Sequence, residues 1–114
     1  MSVNVSAMDA CIKQCKRSPM RNRHGAVIIY RNKIVAAASN FYVTGRRPYE
    51  DYRSVHAEVA VILEFLKRYP RVALRDATLV VVRLARDGEI SCSRPCANCT
   101  QTIIKYNVGK VIHS

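Results

Sequence analysis

The sequence predicts an α/β fold in three α/β/α layers: a mixed sheet with helices on both faces, opened by an antiparallel hairpin and continued by parallel strands. Three observations carry this. Apolar runs of strand length alternate with segments of helical period, in the order helix, strand, strand, helix, strand, helix, strand. The first two strand runs are separated by Arg31-Asn32-Lys33 alone, a length that suits a tight hairpin. A helical segment precedes each later strand, as parallel pairing by crossover requires. At 114 residues, with 49% hydrophobic, the chain can build one core and is too short for two, so a single domain spanning 1–114 is expected.

Each element has its own signal. Ser6 can cap a first helix whose apolar positions Met8, Cys11, Ile12 and Cys15 keep the helical period until Ser18-Pro19 stops it; this helix should cover one sheet face. Residues 25–30 (GAVIIY) and 34–39 (IVAAAS) are the hairpin strands. Residues 40–53 form a polar and aromatic loop, and 54–68 a helix with Ala57, Ala60, Leu63 or Ile62, and Leu66 along one side, ended by Pro70. Residues 78–84 (TLVVVRL) make the best strand by β-branched content. Asp87-Gly88 is a turn signal, with a small hairpin to 89–91 as its alternative outcome. Pro95 is placed to open a helix running to Tyr106, Asn107 and Gly109 suit its C-terminal cap, and 110–113 is a short last strand.

Charge and cysteine content narrow the setting. The formal net charge is +11, and between positions 13 and 33 seven basic side chains occur with no acid, a field that attracts phosphate. No apolar run approaches the roughly 18 residues of a membrane span, and the N-terminus lacks the layout of a secretory signal, so a cytoplasmic or otherwise intracellular protein with no membrane partner is expected. Five cysteines without framework spacing argue against a disulfide scaffold. Cys11 and Cys15, four apart on a helix, read as buried packing groups, and His24 and His113 as structural.

The chemistry concentrates in two short motifs. His56-Ala57-Glu58 and Pro95-Cys96-Ala97-Asn98-Cys99 together offer three good zinc ligands and a nearby carboxylate. An imidazole and two thiolates suit Zn²⁺, and three protein ligands leave one tetrahedral position open, as catalytic zinc sites do. Both motifs fall at expected helix starts, where unpaired N–H groups and partial positive charge lower thiol pKa toward the thiolate that a metal needs. Cys96 and Cys99, three apart, share one helix side, while His56 and Glu58 can straddle the start of the other helix.

With H-x-E followed by P-C-x-x-C, the chain resembles the zinc-dependent cytidine and deoxycytidylate deaminase superfamily from about residue 25 to 112. The resemblance implies a cytidine-deaminase-like fold in which His56, Cys96 and Cys99 bind zinc and Glu58 shuttles protons. Water activated there would attack C4 of cytosine, or C6 of adenine in the adenosine branch, with release of ammonia. It further implies that main-chain N–H groups of Ala57 and Cys96 hold the amine and oxygen, and that Asn40 holds the substrate's sugar. The loop after Asn40 interleaves Phe41, Tyr42, Tyr49 and Tyr52 with Arg46, Arg47 and Arg53, a mixture able to stack on a base and hold phosphate, which makes Arg46 and Arg47 substrate-binding candidates; Arg94, beside the second motif, is another that could face the pocket.

Substrate hints diverge. Cys99-Thr100-Gln101 resembles the C-x-Q continuation of the nucleoside branch, whereas Val59-Ala60-Val61 departs from typical deoxycytidylate enzymes. Relatives commonly continue through a further helix and strand beyond the position of Ser114, so the last strand is expected as an open edge that self-association covers, giving a homo-oligomer. A cytosine nucleotide or nucleoside ranks first as substrate, and a base within RNA or single-stranded DNA second. Two non-enzymatic readings stay open: a closed Cys₃His site with Cys92 as fourth ligand, and a basic nucleic-acid-binding module without turnover.

Overall fold

In a computed structural model of the chain, the described residues are 5–19, 23–42 and 54–114. They form α1 (Val5–Arg17), β1 (Arg23–Tyr30), β2 (Lys33–Ser39), β3 (Phe41–Tyr42), β4 (Ser54–Val55), α2 (Ala57–Leu66), a 3₁₀ turn (Arg71–Asp76), β5 (Thr78–Leu84), β6 (Ile90–Ser91), α3 (Ala97–Tyr106) and β7 (Lys110–His113). The main sheet runs β2-β1-β5, and the far edge of β5 is shared end to end by β6 and β7. Strand β1 is antiparallel to both β2 and β5, and β5 is parallel to β7, so the sheet is mixed as expected.

Side-chain alternation sorts the core into two clusters. Ala26 and Ile28 of β1, with Leu79 and Val81 of β5, face Val61, Ile62 and Phe65 of α2 and Ile103 of α3. Val27, Val80, Val82 and Leu84 point the other way, onto Ala7, Cys11 and Cys15 of α1. This makes three layers, and it explains why TLVVVRL reads as a continuous apolar run: β5 is buried on both faces. Gly25 sets the α1 layer spacing, because a Cβ there would collide with the Cys11 carbonyl and the Cys15 amide nitrogen. The hairpin turn is tighter than three residues. Tyr30 pairs with Lys33, and Arg31 and Asn32 both take the left-handed conformation that a two-residue primed turn needs.

Several boundaries differ from the sequence expectation. The second helix starts at Ala57, not 54, because Ser54 and Val55 pair with Tyr42 and Phe41 as a two-stranded ribbon inside what reads as loop. Ala57 and Ala60 are buried as expected, Ile62 is the core residue and Leu63 faces solvent at 49% exposed, because the buried positions are 57, 58, 60, 61, 62 and 65. The helix stops at Leu66, and Pro70 caps a 3₁₀ turn that carries buried Ala73 and Leu74, an element too short to show a period. The alternative hairpin after Asp87-Gly88 is the one adopted, with Gly88 at φ 86° and the Asp87 carboxylate accepting the Glu89 N–H. Ser6 lies within α1, and α3 begins at Ala97, after Pro95. Asn107 caps α3 at φ 61°, as its side chain tolerates, and Gly109 donates to the Leu74 carbonyl on the way into β7. Among the described residues no helix is long and apolar enough to cross a membrane.

Candidate active site and metal centre

Two helix starts meet across the sheet's end. His56 is the N-cap of α2 and Cys96 the N-cap of α3, both in extended conformation, so each side chain leaves the helix at its first turn. His56 makes no capping hydrogen bond, which leaves its ring to other partners: Nδ1 lies 3.1 Å from Cys99 Sγ and 3.6 Å from Cys96 Sγ. Cys96 does cap, its sulfur accepting the Cys99 N–H at 3.4 Å. One ligand atom from each of the three residues falls within 4.8 Å of the others.

Glu58 sits in the first turn of α2 and is only 4% exposed. Against the lowering expected of a helix start, burial pushes the Cys99 thiol well above its ordinary range, and the Glu58 charge beside it, then the Cys96 side chain, push it further. A buried carboxylate against a buried thiol is a site short of positive charge. A divalent cation reverses that balance, since a coordinating thiol gives up its proton to it. One borderline nitrogen and two soft sulfurs select zinc, and three ligands leave the fourth position open.

Of the other residues singled out in the sequence, Ala57 is fully buried as the first residue of α2. Asn40 is 5% exposed; its carbonyl oxygen accepts from the Ser18 hydroxyl at 2.6 Å and from the His24 N–H at 3.0 Å, tying the end of α1 to β1. Arg46 and Arg47 lie outside the described residues. Cys92 is exposed and does not join the His56, Cys96 and Cys99 group, so the closed four-ligand site is not assembled. Arg94 is exposed, and His113 pairs its ring with the Ser114 carbonyl on β7.

Beside the ligands an open cleft of about 270 Å³ is lined by Val55, His56, Val59, Asn98, Cys99 and Thr102. Val59 and Thr102 escaped the sequence reading although the signal was present: each stands three residues after a ligand, His56 or Cys99, and so shares its helix side. Ser18 and His24, which hold Asn40, carry no such signal because their partner is far away in sequence.

Fold and donor set together place the chain among α/β/α domains with a His-Cys-Cys zinc centre. It belongs to the cytidine and deoxycytidylate deaminase family, whose zinc-binding region matches residues 1–114. Among solved structures, a dCMP deaminase from the cyanophage S-TIM5 is similar at TM-score 0.65 and 18% identity, over 97% of this chain and 84% of that one. A cytidine deaminase from Burkholderia pseudomallei is similar at TM-score 0.69 and 15% identity, over 93% and 78%. A structure from a study of A-to-I editing by tRNA:A34 deaminases gives TM-score 0.62 and 22% identity, over 95% and 73%. At such identities the likeness shows a shared fold. No curated protein matches the chain.

Proposed function

We propose that the protein hydrolytically deaminates a cytosine nucleotide or nucleoside, of the CMP/dCMP or cytidine/deoxycytidine type, giving the uracil form and ammonia. The observation that carries this reading is the placement of Glu58: a carboxylate buried in the same helix turn as one ligand and hydrogen-bonded to another, Cys99. In this reading His56, Cys96 and Cys99 hold zinc, which when bound lowers the pKa of water to about 7. Glu58 accepts one proton from the attacking water at a carboxylate oxygen and delivers it to the ring nitrogen, then takes the second from the hydroxyl now on the ring carbon and passes it to the amine, which leaves as ammonia while the carbonyl forms. The main-chain N–H groups of Ala57 and Cys96 orient amine and oxygen, Asn40 is assigned to the sugar, and Arg46 and Arg47 to a substrate phosphate. A single domain spanning 1–114, self-association into a homo-oligomer and an intracellular setting belong to the same reading.

A second reading, deamination of a base within RNA or single-stranded DNA, is favoured by one specific observation: a net charge of +11 gains little from a neutral nucleoside and much from a phosphate chain. The test is incubation of zinc-loaded protein with cytidine, deoxycytidine, their monophosphates, adenosine, guanine and single-stranded oligonucleotides while ammonia is measured. Turnover of a free cytosine compound supports the first reading, and turnover of oligonucleotides alone the second. Bound zinc with no ammonia from any of them would favour the non-catalytic nucleic-acid-binding reading instead.

A further inference from the structure

The far end of α3 carries a second cleft, of about 370 Å³, lined by Arg71, Val72, Arg75, Lys105, Tyr106 and Asn107. It lies ten residues along the helix from Cys96, hence about 15 Å away at 1.5 Å per residue, and shares no lining residue with the cleft at the zinc ligands. Three cations converge on it with no carboxylate in its wall, and among the described residues none of the three forms an ion pair. The arrangement is braced: Arg71 donates to the Lys105 carbonyl at 2.6 Å and lies 4.8 Å from the centre of the Tyr106 ring, while the Gly109 N–H bonds the Leu74 carbonyl and ties the 3₁₀ turn to the end of α3. The negative end of the α3 dipole accounts for Arg71 and Lys105. It does not account for Arg75, whose exposed side chain makes no hydrogen bond or ion pair among the described residues.

We propose that this cleft binds the phosphate backbone of a single-stranded nucleic acid, with Arg75 and Lys105 as the phosphate contacts and Arg71 as the brace that holds the wall. Charge complementarity selects the occupant: mutually repelling cations in a shallow, open wall on a chain of net charge +11 suit a polyanion that runs past them. A stacked strand carries a phosphate about every 3.4 Å, so one leaving the cleft would reach the helix start at Cys96 in roughly four to five nucleotides. A lone nucleotide could not occupy both places. The proposal concerns binding and does not depend on turnover at the zinc centre.

The test is fluorescence anisotropy of a labelled oligothymidylate of about 15 nucleotides, long enough for a single site, titrated with the zinc-loaded protein over a range of salt concentrations. Each lost single-strand phosphate contact lowers the slope of log K against log salt by about 0.7, so Arg75→Gln with Lys105→Gln should lower it by about 1.4. Lys13→Gln with Lys16→Gln, an equal charge loss on exposed positions of α1, should leave the slope within error of the parent. Independently, bound strand should shield Lys105 of the unaltered protein from acetylation, read by mass spectrometry, and leave Lys13 reactive. Equal slope changes in both double variants, a parent that does not bind the strand, an unshielded Lys105, or equally tight binding of an oligoglutamate of matched charge would each overturn the proposal.

Discussion

Replacing Glu58 by Gln tests the proposed chemistry with little change of shape. The side chain keeps its volume in a site where only 4% of it meets solvent, so packing around Val61 and Ile62 should persist. Its charge is lost. Glu58 is asked to serve at least two proton transfers, to the ring nitrogen and to the amine, and a positioned general acid or base contributes about 10²–10⁴-fold. A loss of about 10⁴-fold in kcat, equivalent to about 5 kcal/mol of transition-state stabilisation, is therefore expected, with zinc content unchanged. A second readout is independent of substrate. In metal-free protein the Glu58 charge helps hold the Cys99 thiol above its ordinary range, so the substitution should lower that thiol's pKa and speed its alkylation at mildly alkaline pH. Ammonia release and thiol trapping followed side by side make the assay. A Glu58→Gln protein that turns over within tenfold of the parent, or whose Cys99 reacts at the parental rate, would refute the reasoning.

Three further outcomes follow from the same geometry. Cys92→Ser should retain zinc at parental stoichiometry, because Cys92 stands apart from the ligand group; a sharp drop in metal content on elemental analysis would restore the closed-site reading. Phe65→Ala should lower stability by about 3–5 kcal/mol in a urea titration, since this fully buried ring packs edge-on to Tyr30 at 5.8 Å and stacks on Tyr69 at 4.9 Å; a cost below about 1 kcal/mol would contradict the packing described. The third concerns alkaline pH. Burial, then the neighbouring Cys15, pushes the Cys11 thiol up from 9.0 to about 12. The unfolded thiol then ionises first, so stability is unaffected below about pH 9 and falls as pH rises from there toward 12. The fall in Tm between about pH 8 and 10.5 should be shallower for Cys11→Ala than for the parent, and an equal or steeper fall would contradict the burial argument.

The sequence made the sheet and its layers legible because period and burial agree there. TLVVVRL lies at the centre of the sheet with both faces covered, and Cys11 and Cys15 sit one turn apart against it, hydrogen-bonded to the Val80 and Val82 carbonyls. The metal group was legible for a different reason: each half is a local motif at a helix start, so both backbone segments carry their own signal before the fold brings them together. Features set by distant partners left no mark. Ser54 and Val55 read as helix because nothing local reveals that Phe41 and Tyr42 will claim them as strand. The 3₁₀ turn at Arg71–Asp76 is too brief for a period, and with it the basic cleft at the end of α3 went unread, although Arg71 and Arg75 stand only four residues apart. Asn40 shows both sides: its place at the end of a strand was readable, whereas the Ser18 and His24 contacts that bury it were not.

X-ray absorption at the zinc edge of the purified protein reads directly whether one imidazole and two thiolates hold a zinc ion with its fourth position open. One zinc per chain is expected, with two sulfurs at about 2.3 Å, one nitrogen at about 2.0–2.1 Å, and a single light-atom neighbour completing the shell. Three or more sulfurs in that shell, or folded protein that carries no zinc after exposure to it, would contradict a three-ligand centre with an open position.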